Sequence, residues 1–380
     1  MSAAALVLRL VESMNTHPLM RVSPFTLARP VSGAPIRARL ALLAAAVLAL
    51  LALPACGNSG DSGSTATPSG SAAAGGAAPA AKPIVLRVGH FPNVTHAHGL
   101  IANALTRQGK GWFESRLGPG VTLEWYTYNA GPSAMEAILS GSIDLTYVGP
   151  SPAINAHVKS RGQEVRILAG ATNGGAALVV PGDGRLKGPE DFRGRKIATP
   201  QLGNTQDVSC RAWLEAHGLH VTQTGGDATV LPTQNADQLD LFQKGDVDAV
   251  WTVEPWVSRL EKDAGGKILV EEKDTITTVL ASSAAFLKDH RDLAQRFVAA
   301  NDELTKWINA HGDEARALVT AELTEETHSK VSPELIAHCW PRLHFTSEIS
   351  LPPLQAFVSA AQAAGFLKDG GDISRLVEKP

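Results

Sequence analysis

At 380 residues the chain has room for two ordinary domains with substantial cores, and its 34 basic residues face 37 acidic ones, a formal charge of -3. That balance lacks the basic excess needed to neutralise a phosphate backbone, so nucleic acid is not an expected partner. Only 19% of residues are charged, low for a soluble chain, and the shortage is concentrated at the N-terminus.

Residues 1–39 carry Arg9, Arg21, Arg29, Arg37 and Arg39 against Glu12 alone, and Leu40–Leu53 (LALLAAAVLALLAL) follows without a charge. An apolar run of this length behind a basic flank fits a secretory signal and is short for a transmembrane helix, which needs about 20 residues. Residues 1–55 are therefore read as a signal peptide, and a start at Met20 would give one of ordinary length. Leu53-Pro54-Ala55-Cys56-Gly57 resembles a bacterial lipobox, with Pro54 where a smaller residue is more common. That resemblance implies a diacylglycerol on Cys56 and an exported protein held to the cell membrane by lipid. Residues 56–83 continue as Gly, Ser, Ala and Pro with no large apolar side chain. Such a stretch buries too little surface to offset chain entropy, which makes it a flexible tether. Without residues 1–55, 29 basic and 36 acidic residues remain, a charge of -7.

From residue 84 strand-like and helix-like segments alternate. Ile84–Phe91 is a β-branched strand, His98–Thr106 has helical spacing, and Val121–Tyr126 is a second strand. A helix over Ala134–Leu139 has Ser133 as its N-cap and Gly141 as its stop. Ile143–Val148 is a strand, Ala153–Lys159 a helix and Val165–Ala169 a fourth strand. A second unit repeats the grammar with strands at Ala176–Pro181, Gly194–Thr199, Ala228–Leu231 and Ala249–Thr252 and helices at Asp207–His217 and Asn235–Lys244. Thr277–Ala281 returns the chain to the first sheet. Helices are expected at Arg291–Ala310, Glu314–Leu323, Pro333–His338 and Pro352–Ala364. Alternation with short turns predicts an α/β fold on open parallel sheets, with binding loops at the strand carboxyl ends.

Three loops, Ala130–Ala134, Gly149–Ala153 and Gly203–Asp207, set Gly and hydroxyl or amide side chains directly before a helix. Free N–H groups and the positive end of the helix dipole converge there, which suits an anion. Taken singly, Ser133, Ser151 and Thr205 are more often plain helix caps; three such loops in corresponding places favour a site. Neither GxxxxGK[ST] nor GxGxxG occurs, so nucleotide binding has no support.

The segments VLRVGHFPNVTHAHGLIA, GPSAMEAILSGSIDLTYVGPSPAINA, RGRKIATPQLGNTQDVSCRAWLEAHGL and LFQKGDVDAVWTVEPW, in this order behind a lipoprotein signal, resemble the substrate-binding lipoproteins of bacterial ABC importers. The resemblance is to the group that binds aliphatic sulfonates, taurine or nitrate. It implies a two-lobed periplasmic-binding-protein-like type II fold with two crossover hinge strands and a helical C-terminal tail. Lobe one would be residues 84–175 plus 278–380, and lobe two residues 176–277. It also implies a monomer that takes a small anionic ligand, needs no cofactor and delivers its cargo to permease subunits. Carried onto this chain, the ligand loops fall on Asn93 and His96, Gly131 and Ser133, Gly149 and Ser151, Gly203 to Gln206 (with Asn204 and Thr205), and Glu254 and Trp256. Trp256 would wall the cleft, while Glu254 would meet a ligand amine or pair with a basic neighbour. A thiamine-precursor pyrimidine or another small organic ligand is the alternative cargo.

His90, His96 and His98 raise zinc as a competing reading, which strand alternation disfavours, so no metal is expected. Cys210 and Cys339 would fall in different lobes, where a bridge would oppose closure, and are expected as buried free thiols. Gly-x-Ser-x-Gly and HExxH are absent, which leaves an exported enzyme on the same architecture as the less favoured alternative.

Overall fold

The computed structural model describes residues 83–368 and 371–380. The expected signal peptide, the Cys56 lipid and the tether through residue 82 lie outside the described residues. The strands are β1 (Ile84–His90), β2 (Val121–Thr127), β3 (Leu145–Val148), β4 (Val165–Gly174), β5 (Ala176–Pro181), β6 (Lys196–Thr199), β7 (Val221–Thr222), β8 (Gly225–Gly226), β9 (Thr229–Pro232), β10 (Ala249–Val253), β11 (Gly266–Glu272), β12 (Ile276–Ser283) and β13 (Leu343–Phe345). Six form one sheet in the order β13-β4-β12-β3-β1-β2, five form a second in the order β11-β5-β10-β6-β9, and β7 pairs with β8.

Both large sheets are mixed, which corrects the parallel expectation. β1 runs parallel to β2 and β3, and β6 parallel to β9 and β10. β12, by contrast, is antiparallel to β3 and β4, and β5 is antiparallel to β10 and β11. The reason is the route of the chain. It leaves the first sheet along β4, enters the second as β5, and returns through β11 and β12, so an arriving strand runs against neighbours that point toward the other sheet.

Alternating side chains fill the space on either side of each sheet. In the second, Leu178 and Val180 pack with Ile197, Leu214 and Trp251, while Ala177 and Val179 pack with Val250, Val257 and Leu260. In the first, Leu86, Val88 and Tyr147 join Leu100, Phe297 and Leu304, whereas Val148, Ile167 and Val279 join Ile138, Ile154 and Leu354. Helices Ala97–Arg107, Arg291–Ala310, Gly312–Thr327, Pro333–Cys339 and Leu351–Ala363 belong to these layers.

The two sheets meet at adjacent crossings. Gly174 and Gly175 link β4 to β5 at φ 75° and 72°, left-handed values that L side chains adopt only under strain. A Cβ on Gly174 would lie 2.4 Å from the Arg342 carbonyl oxygen and 2.6 Å from that of Lys273. Beside it, Thr277 Oγ1 lies 3.0 and 2.8 Å from the carbonyl oxygens of Thr172 and Gly174, tying β12 to the outgoing crossing.

Candidate functional site

Between the sheets lies a cavity of about 20 Å³, room for roughly one water. Asn93, His96, Gly131 and Gly149 line it from the first sheet's loops, and Asn204, Thr205 and Gln206 from the second's, with Asn235 and Thr277 beside them. Seven of the twelve site residues expected from sequence therefore meet here. The cavity's lining contains no Lys, Arg, Asp or Glu.

Three helix N-termini supply its polarity. The helix Gly131–Leu139 is capped by Ala130, so Ser133 sits in the first turn and is not the expected N-cap; Pro132 at the second position starts the helix earlier. The Ser133 hydroxyl instead crosses the cleft and donates to Gln201 Oε1 at 3.2 Å. The helix Pro150–Lys159 begins after Gly149. Its Ser151 N–H donates to Thr205 Oγ1 at 3.4 Å, again between lobes, while Ser151 Oγ is buried without a partner. The helix Thr205–Ala216 is capped by Asn204, whose side chain accepts from the Asp207 N–H at 2.8 Å. The N–H groups of Thr205 and Gln206 then have no intrahelical acceptor and stand at the positive end of the dipole.

Asp207, fully buried, would oppose an anion if left alone. It accepts from Thr199 Oγ1 at 2.9 Å, from the Gly203 N–H at 2.9 Å and from Arg211 Nε at 3.1 Å. Arg211, also fully buried, is thus its counter-charge, and the pair fixes the loop that carries Gly203 and Asn204 without exposing a charge to the cavity. Sequence reading missed this pair, although its i, i+4 spacing on a helix is a legible signal. Missed as well were Asn129 and Asn235, amides with no local pattern around them.

His96 is buried against the Phe91 ring, centroids 4.2 Å apart, and its Nδ1 has no hydrogen-bond partner. Burial, aided by the charges of His90 and His98, holds its pKa well below the usual value, so the imidazole is neutral. The other two histidines point elsewhere: His90 Nε2 lies 2.5 Å from Glu326 and His98 Nε2 lies 2.8 Å from Thr305 Oγ1. Among the described residues no group of three His, Cys, Asp or Glu side chains is placed to hold a metal ion. Cys210 and Cys339 are buried and free.

Glu254 and Trp256 leave the small cavity. Glu254 is fully buried and accepts from Arg342 Nη1 at 2.7 Å, Ser258 Oγ at 2.9 Å and the Ser258 N–H at 3.0 Å. Of its two expected roles, pairing with a basic neighbour is the one the structure contains. Trp256 Nε1 donates to Asn93 Oδ1 at 3.0 Å, and the ring faces an adjoining chamber of about 410 Å³ that shares Asn93, Asn129 and Asn235 with the small cavity.

Among the described residues, no helix is long and apolar enough to cross a membrane. The chain resembles the taurine-binding periplasmic protein of Escherichia coli (strain K12), 30% identical over 154 residues, which is 40% of this chain and 45% of that protein. The aligned part is thus less than half of that relative's length. Among solved structures, the alkanesulfonate-binding protein SsuA from Xanthomonas axonopodis pv. citri, bound to MOPS, superposes with a TM-score of 0.65 at 22% identity, over 79% of this chain and 100% of that one. The periplasmic aliphatic sulphonate binding protein SsuA from Escherichia coli gives 0.63 at 20% identity, over 79% and 93%. The fold is therefore the two-lobed periplasmic-binding-protein fold, type II, with the paired crossings as its hinge strands. Residues 79–324 match the family model described as NMT1-like, and with most of both lobes inside that match, the chain belongs to the NMT1-like family.

Proposed function

We propose that this chain is an extracytoplasmic solute-binding lipoprotein that captures a small anion, an aliphatic sulfonate, taurine or a nitrate-like ion, between its lobes. It then presents the closed form to the permease of an ABC importer. The observation that carries this reading is the convergence of three helix N-termini from both lobes on one cavity free of charged side chains. An oxyanion there would be held by N–H groups, hydroxyls and amides. Because each lobe supplies part of the shell, ligand favours the closed state by its differential affinity. The names of the similar proteins support a sulfonate cargo and export. Cys56 would carry the lipid, the tether would supply reach, and the protein would act as a monomer that binds without turnover.

Calorimetry on the full chain is expected to give heat with ethanesulfonate, taurine or nitrate, and no binding to any of them would refute anion capture. Ser151→Ala with Thr205→Ala should cost at least tenfold in affinity with little change in melting temperature. Unchanged affinity would remove these loops from the site.

A further inference from the structure

The small cavity has room for little more than one water, whereas the adjoining chamber is some twentyfold larger, about 20 against 410 Å³. The two share Asn93, Asn129 and Asn235, so a molecule gripped in the first extends into the second. The chamber is walled by both lobes, with Leu323 and Val331 on one side and Leu239 and Trp256 on the other, and closure therefore shapes it around whatever the anion carries.

Two charged side chains border this chamber, and they differ in what they already hold. Glu326 is engaged through one oxygen: its Oε1 lies 2.5 Å from His90 Nε2 and accepts from Asn103 Nδ2 at 3.1 Å, with the Glu322 carboxyl nearby, while its Oε2 is buried without a hydrogen-bond partner. Arg259, half-buried in the first turns of the helix Trp256–Ala264, stacks its guanidinium 4.9 Å from the Trp256 ring centroid. Among the described residues it has no ion-pair partner. Stacking on an aromatic ring orients a guanidinium while leaving its N–H edge free for a planar oxyanion.

The geometry points to a bipartite ligand: a compact oxyanion against the helix N-termini, seated once the lobes stand wider than the one-water gap between them here, an aliphatic spacer along the apolar wall, and a second acidic group, a carboxylate or another sulfonate, paired with Arg259. This rests on the anion-capture reading and narrows its cargo to sulfonates that bear a distal acid. Among the described residues that line the two cavities, Arg259 is the one Lys or Arg.

The test is a calorimetric comparison, on the full chain, of 1-propanesulfonate with 3-sulfopropanoate, which share the sulfonate and the three-carbon length and differ in the terminal carboxylate. The dianion should bind about tenfold more tightly, the size of one charge-assisted hydrogen-bonded pair. Arg259→Gln should erase that preference and Arg259→Lys should retain part of it, with the melting temperature without ligand as the control for folding. Equal affinities for the two compounds, or a preference that survives Arg259→Gln, would overturn the second-acid assignment while leaving anion capture intact. Binding of neither compound would overturn the second-acid assignment, and anion capture with it if ethanesulfonate, taurine and nitrate also give no heat.

Discussion

His98 shows how a buried side chain without a ligand-binding role still governs the molecule's response to pH. Burial lowers its pKa to about 3, against roughly 6.5 in an unfolded chain. Between those values the unfolded state binds a proton that the folded state refuses, so His98 withdraws stability as pH falls below 6.5, by roughly 1.4 kcal/mol per pH unit. Glu322 works in the opposite sense: burial raises it to about 7, so the folded state holds the extra proton and gains stability as pH falls from 7 toward the unfolded carboxyl value. The two partly cancel in the wild-type profile, and a difference measurement separates them. The stability gap between wild type and His98→Gln, measured by urea unfolding, should shrink from pH 7 to pH 4, since the variant lacks the group that acid charges. A constant gap would show that His98 does not titrate in this way. At this scale the sequence was least legible. Glu254 and Trp256 sit on either side of Pro255, yet one turns to Arg342, 88 residues further on, and the other to Asn93, 163 residues back. No local pattern encodes partners that distant.

Elements with sustained periodicity were read well from sequence: β5 and the helices Asn235–Lys244 and Arg291–Ala310 begin and end where their apolar spacing places them. β11 and β13 were not read, β13 because three residues carry no measurable alternation, and β11 because its pairing with β5 shifts register between Ile268 and Val270. The helix Trp256–Ala264 was hidden behind Val253-Glu254-Pro255-Trp256, which reads as the end of a strand. The ligand loops were legible as Gly and hydroxyl clusters before helices, whereas the reason for Gly149 required three dimensions. A Cβ there would stand 2.2 Å from Thr205 Oγ1 and 3.2 Å from Thr205 Cβ, on the opposite lobe. Its own φ of -67° suits any residue, so the requirement for Gly comes from the approach of the lobes. Gly149→Ala should therefore leave the melting temperature without ligand nearly unchanged and weaken ligand binding about tenfold, an overpacking cost of order 1–3 kcal/mol charged to the closed state alone. Calorimetry beside a thermal melt checks both halves. Wild-type affinity in this variant would mean that the lobes bind ligand without this approach.

At the scale of the whole molecule, closure is set by how much surface the lobes share beyond the ligand. Polar bridges include Ser133 to Gln201, Ser151 to Thr205, Asn235 Nδ2 and Trp256 Nε1 to Asn93 Oδ1 at 3.3 and 3.0 Å, and the Val94 N–H to the Glu254 carbonyl at 2.9 Å, each worth about 1 kcal/mol. The apolar contribution comes through the C-terminal tail. Val208 of the second lobe's helix is fully buried in the cluster that holds Leu354, Phe357 and Val358 of the tail helix. The Phe366 ring stands 6.0 Å from the Arg211 guanidinium, against the loop at Gly203. The tail thus grips the lobe that carries half the ligand shell, and Arg342 reinforces it near the hinge by pairing with Glu254 and Glu261. A contact of this kind sets the fraction of unliganded molecules already closed, and apparent affinity scales with the population of the binding-competent form. Truncating Phe366 to Ala removes part of the grip while sparing the buried core of each lobe. About 1 kcal/mol of lost apolar burial shifts the balance between open and closed forms roughly fivefold toward open. Small-angle scattering should then show a larger radius of gyration for the free variant than for free wild type, and the two should converge at saturating ligand. A free variant as compact as wild type would mean that the tail follows closure without driving it.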